Sequence, residues 1–141
     1  MSHHEKLKRM DKLYISGDLV MVKKSALQFA KDKIFKVISS LSGGFVKVVM
    51  LNDSSTTYSI SNNAVRPIPL TSEILENNGW KLCHGFYCSP NEEGAGVCLS
   101  SETGYVWNAY LGRQPLRSNI NSVSDLQHLL FGLGLNSEME V

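Results

Sequence analysis

The stretch Arg66-Pro67-Ile68-Pro69-Leu70-Thr71-Ser72-Glu73-Ile74-Leu75 divides the chain into two unlike halves. Proline fixes φ and cannot donate to a sheet ladder, so two prolines around one residue predict an extended connector. Thr71 then offers the side-chain oxygen that a helix start requires. Ile74 and Leu75 form the apolar pair of a short helix, and Asn77-Asn78-Gly79 is its stop, with Gly79 placed to cap it in a left-handed conformation.

Upstream of the junction, residues 19–22, 33–41, 45–51 and 56–60 read as short strands. Gly17-Asp18, Ser42-Gly43-Gly44 and Asn52-Asp53-Ser54-Ser55 supply the turn signals between them. Residues 27–32 read as a loop or a helical turn. So many short strands without a clear helix predict a small closed barrel, because an open sheet of that size leaves its edges exposed.

Downstream, residues 80–83, 85–89, 95–100, 105–111 and 116–120 read as an antiparallel meander bounded by Gly, Pro, Asn and Ser. A helix follows over residues 122–134. Ser122 caps it, Asp125 approximates a capping box, and Val123, Leu126, Leu129, Leu130 and Leu133 form one apolar stripe at helical period. The expected fold class is α+β: a flexible tail over 1–12, an SH3-like small β-barrel over 13–68, and over 69–141 a short helix and a small antiparallel sheet covered by the C-terminal helix. Either part alone buries little core, so the two are expected to pack on each other or on a second copy, making a homo-oligomer one open outcome.

The bulk numbers agree with a globular chain: 141 residues, 43% hydrophobic and 19% charged. No apolar run approaches the ~20 residues of a membrane helix, and the first twelve residues lack the apolar core of a secretory signal. A cytoplasmic protein is expected, with no membrane partner. Cys83, Cys88 and Cys98 are an odd number without secretory context, which favours reduced thiols. The net charge of +1 hides an asymmetry: residues 1–68 carry eleven Lys/Arg against five Asp/Glu, and residues 69–141 three against eight.

With these residues placed, the chain resembles a family of small uncharacterised proteins of Bacteroides-type bacteria and their phages and mobile elements. The resemblance rests on the junction, Ile68-Pro69-Leu70-Thr71-Ser72-Glu73-Ile74-Leu75 through Gly79-Trp80, and on the helix Leu126-Gln127-His128-Leu129-Leu130-Phe131-Gly132-Leu133. It implies architecture and a mobile-element setting, and carries no activity. The opening strands resemble those of SH3-like barrels, which often act as nucleic-acid or peptide adaptors.

The basic set is the strongest functional signal. Lys23, Lys24, Lys36, Lys47 and Arg66, together with Lys31 and Lys33, sit on or beside the expected barrel, with Phe29, Phe35, Phe45 and Tyr58 available for stacking. Clustered cations suit phosphates and aromatic platforms suit single strands, whereas a solvated lysine surface that keeps strand edges apart is the ordinary alternative. Other constellations are weaker. Cys83-His84, Cys88 and Cys98 offer soft ligands, but only Cys83 and Cys88 approach zinc-like spacing, and Cys83 and His84 diverge if both lie on a strand. A cysteine nucleophile paired with His84 or His128 lacks a strand-to-helix elbow. Asp125 and His128 share a helix face, which suits an acid–base pair or, more simply, a capping residue beside a polar-face histidine. Glu92-Glu93-Gly94-Ala95-Gly96 reads as a hairpin loop, since no helix start follows the glycines to hold a phosphate.

The expectation is a non-enzymatic binding or adaptor protein of mobile-element or phage origin, without a cofactor, catalytic residue or metal ligand. Its partner is a nucleic acid at the basic N-terminal half or, alternatively, a protein at the acidic, aromatic-rich C-terminal half. A small Cys/His enzyme or metal protein is the third reading.

Overall fold

A computed structural model describes residues 14–22, 33–51, 53–90 and 96–141. The expected tail, Lys23, Lys24, residues 27–32 and the Glu92-Glu93 loop lie outside the described residues.

The described residues form two five-stranded antiparallel sheets and a C-terminal helix, an α+β arrangement. The N-terminal sheet contains β1 (Leu19–Val22), β2 (Ile34–Leu41), β3 (Phe45–Met50), β4 (Asp53–Ser61) and β5 (Val65–Pro67), ordered β4-β3-β2-β1-β5. A single 3₁₀ turn, Asn62–Ala64, separates β4 from β5, and the Ser61 hydroxyl accepts from Asn63 N at its start. The C-terminal sheet is a plain meander of β6 (Lys81–Cys83), β7 (Phe86–Cys88), β8 (Val97–Ser100), β9 (Trp107–Leu111) and β10 (Gln114–Ile120). Two helices accompany it, α1 (Ser72–Asn77) and α2 (Val123–Gly132).

Three details correct the expectations. Among the described residues β4 and β5 are the two edges of an open sheet, with no pairing that closes a barrel. The sheet instead curls, so that Val20, Phe35, Val46, Ile60 and Val65 from its five strands meet in one buried cluster. Its β4 edge is polar, with exposed Ser55, Thr56, Thr57 and Ser59, which discourages edge-to-edge pairing without closure. The turn expected at 52–55 is shorter, because Asp53 already pairs with Met50. The apolar stripe of α2 also ends early: Val123, Leu126 and Leu130 are buried, whereas Leu133 is 38% exposed.

Leu135 fills the place that the stripe predicts for Leu133. Gly134, at φ +73°, turns the chain back, Gly134 N donates to Phe131 O at 3.0 Å and Leu135 N donates to Leu130 O at 2.9 Å. That pair of bonds is a Schellman closure, and Leu135 packs against the cluster that holds Leu130. Helix α1 ends the same way. Gly79 adopts φ +86°, Gly79 N donates to Glu76 O and Trp80 N to Leu75 O, each at 3.0 Å, and Trp80 and Leu75 share the core. The left-handed cap expected at Gly79 is therefore present.

The proline connector is a structural seam. Ile68 and Leu70 are buried, Pro69 bridges Ser122, Val123 N donates to Ile68 O at 2.8 Å, and the Trp107 indole donates to Leu70 O at 2.9 Å. Alternation on β1 then divides its side chains between two cores. Val20 and Val22 enter the N-terminal cluster, and Leu19 enters a second cluster with Leu75, Trp80, Leu99, Trp107 and Leu126.

Candidate functional site

The outer face of the N-terminal sheet carries the described part of the basic set. Register places Lys36 opposite Leu19 on one side and Val49 on the other, and places Lys47 between Ser39 and Ser59. Val46 and Val48 point inward, so Lys47 points outward with Phe45, and Leu19 marks the same outward face for Lys36. A bulge between Val37 and Ser39 admits the extra residue Ile38, 38% exposed, beside the two lysine rows. Arg66 on β5 is exposed and pairs with Met21, so β1 separates it from Lys36. The structure thus brings Lys36 and Lys47 together and sets Arg66 apart.

The aromatic partners differ from expectation. Phe35 is fully buried and meets Tyr58 edge-to-face at 6.2 Å on the inner side of the sheet. Phe45, 45% exposed, is the described aromatic available beside Lys47. Strand alternation explains this: Phe35 and Lys36 are consecutive and must face opposite ways.

A second constellation lies where the halves meet. Asp18 is 1% exposed; its Oδ2 accepts from Ile15 N at 2.9 Å and lies 2.6 Å from His128 Nε2 of α2. Gln127, also buried, accepts from Leu19 N at 2.9 Å and donates to Gly17 O at 3.0 Å and to Ser137 O at 3.1 Å. Tyr14 sits beneath this seam, and burial, then the charges of Asp18 and Asp125, push its phenol up to about 12.

His128 and Asp125 are not an acid–base pair. Asp125 N receives its cap from the Ser122 hydroxyl, while Asp125 Oδ2 accepts from Asn121 N at 3.3 Å and Oδ1 meets Arg117 at 3.5 Å. The carboxylate serves the helix start, and the imidazole serves the other half of the molecule. Gln127 and His128 were missed as connectors because a polar residue flanking an apolar stripe ordinarily faces water. The signal available was Gly17-Asp18 ahead of β1, a buried acid that needs a partner.

Between the halves lies a cleft of about 670 Å³ bordered by Gly17, Lys36, Asn78, Gln127 and Phe131. The C-terminal segment forms one wall. Asn78 holds it by accepting from Glu140 N at 2.8 Å and donating to Glu140 O at 2.7 Å.

The thiols occupy the outer face of the C-terminal sheet. His84, at φ +53°, and Gly85, at φ +83°, form the two-residue turn between β6 and β7, so His84 lies at a hairpin tip, between the two strands expected at 80–83 and 85–89. Among the described residues no group of three or more His, Cys, Asp or Glu side chains is arranged to hold a metal ion. No described helix is long and apolar enough to cross a membrane. Of the aromatic residues here, Tyr87 and Trp107 belong to the core and Phe86 and Tyr105 are exposed. Tyr87 donates to Glu76 Oε2 at 2.6 Å, and this bond, with some help from burial, raises its pKa.

No family model, curated protein or solved structure matches the chain.

Proposed function

We propose that this is a non-enzymatic adaptor that contacts the phosphate backbone of a nucleic acid through the outer face of its N-terminal sheet. The observation that carries the reading is the placement of exposed Lys36 and half-buried Lys47 on one face of the sheet, with exposed Phe45 beside Lys47. Cations on a shared face release counterions together, and an aromatic ring among them gives an unpaired base a surface to stack on. Lys23 and Lys24, directly after β1 in sequence, extend the same set, and Arg66 forms its far margin.

The SH3-like reading belongs here as well. A four-strand meander, a 3₁₀ turn and a fifth strand returning to pair with β1 support it. The mobile-element or phage setting rests on the junction and helix motifs. A cytoplasmic location is supported by three free cysteines.

Fluorescence anisotropy with labelled single- and double-stranded DNA and RNA, across a salt series, tests the proposal. Micromolar binding that weakens with salt is expected, and the paired substitution Lys36→Glu/Lys47→Glu should lower the salt slope by about 2 while leaving the fold intact. Binding that ignores the pair, or no binding at low salt, overturns it. A protein partner on the C-terminal sheet is the second reading. Phe86 and Tyr110 meet edge-to-face at 5.8 Å on its outer face.

A further inference from the structure

Cys88 and Cys98 stand directly opposite each other on β7 and β8, with their sulfurs 3.4 Å apart. Their neighbours Tyr87, Val97 and Leu99 fill the core, so the thiols belong to the outer face, where both are half-buried. Ser89 N donates to Val97 O at 2.9 Å, which makes Ser89 and Val97 a hydrogen-bonded pair and leaves Cys88 and Cys98 as a non-hydrogen-bonded one. Such pairs hold their Cα atoms ~4.5 Å apart, inside the range that a disulfide spans. No backbone rearrangement is needed to join them. Cys83 differs: it is exposed on β6, pairs with Phe86, and is only diagonal to Cys88.

We propose that Cys88 and Cys98 form a reversible cross-strand disulfide by exchange with a low-molecular-weight disulfide of the glutathione type. One thiol loses its proton and attacks the small disulfide, giving a protein mixed disulfide and releasing one small thiolate. The second protein thiol, also deprotonated, attacks the protein sulfur of that mixed disulfide and releases the second small thiolate. The two protons end on the two released thiols, and the two protein cysteines are oxidised as the small disulfide is reduced. Burial, and then the hydrogen bond with Cys98, raise the Cys88 thiol, so Cys88 is suited to the second, intramolecular attack. Cys83 also hydrogen-bonds the Cys88 thiol, which lowers it somewhat, but it reaches Cys88 only across the diagonal, without the directly opposed backbone positions that Cys98 has.

The test equilibrates the full chain in glutathione buffers of rising oxidised-to-reduced ratio. Free thiols are then alkylated, and intact masses and proteolytic fragments are measured. The expected result is a protein that takes up one alkyl group where the reduced chain takes up three, a fragment linking Cys88 to Cys98, and full return on treatment with dithiothreitol. The Cys83→Ser variant should form the same link with no glutathione adduct. The Cys98→Ser variant should accumulate adducts without a link. Adducts on all three cysteines of the native chain without an internal link overturn the proposal, as does a link that joins Cys83.

Discussion

The two sheets solve the same problem differently. The N-terminal sheet curls until its own five strands meet around Phe35 and Val46, whereas the core residues of the C-terminal sheet cluster with residues from other segments. Those segments include α2, the connector with buried Ile68 and Leu70, and β1 of the other sheet through Leu19. A small sheet that supplies its own core can spend on a partner the part of its outer face that Leu19 and Met21 do not commit to the other half. A sheet whose inner face is completed by other segments ties those segments together. On the proposed function, recognition falls to the first sheet and cohesion to the second, and β1 belongs to both.

The largest effect is expected at the shared core. Leu126→Ala removes a fully buried side chain and should cost about 2–5 kcal/mol in denaturant unfolding, with both halves lost in one transition. Two separate transitions would break the comparison, because the N-terminal sheet would then stand alone.

Alkaline pH sharpens it next. Tyr14 ionises near 10 when unfolded and near 12 when folded, so its contribution is complete below pH 10 and is lost as pH rises towards 12. The loss should reach about 2 kcal/mol by pH 12, and Tyr14→Phe should remove that part of the slope in urea melts taken at pH 9 and pH 12. Tyr14 feels Asp18 from one half and Asp125 from the other, so the same slope reports on the seam.

Gln127→Ala comes third. It strands the Leu19 N–H, for an expected loss of about 1–3 kcal/mol by chemical denaturation. The smallest effect is local to the C-terminal half. Gly79→Ala places a Cβ 3.3 Å from Pro90 in a left-handed conformation and should cost about 1–2 kcal/mol in thermal unfolding.

Much of this layout is legible in the sequence because short-range chemistry decides it. Thr71 and Ser122 cap their helices, Gly79 and Gly134 close them, and alternation around Val46 and Val48 sets an inner face. Register and long-range polar pairing are less legible. Phe35 and Lys36 cannot both serve one face, yet which faces inward depends on pairing with β1 and β3. Asp18 and His128 are 110 residues apart, and neither local pattern announces the other. The thiols show the same limit. Spacing suggested ligands, while register makes two of the three cysteines direct neighbours and sets the third on a diagonal.

Native-state amide exchange tests the central claim, that the self-contained sheet and the completed one open as a single unit joined through β1. Opening free energies at Val48 of β3 and Leu99 of β8 should agree in the native chain and fall by the same amount in Leu126→Ala. Unchanged protection at Val48 while Leu99 loses protection would contradict the account, and the two sheets would then be independent.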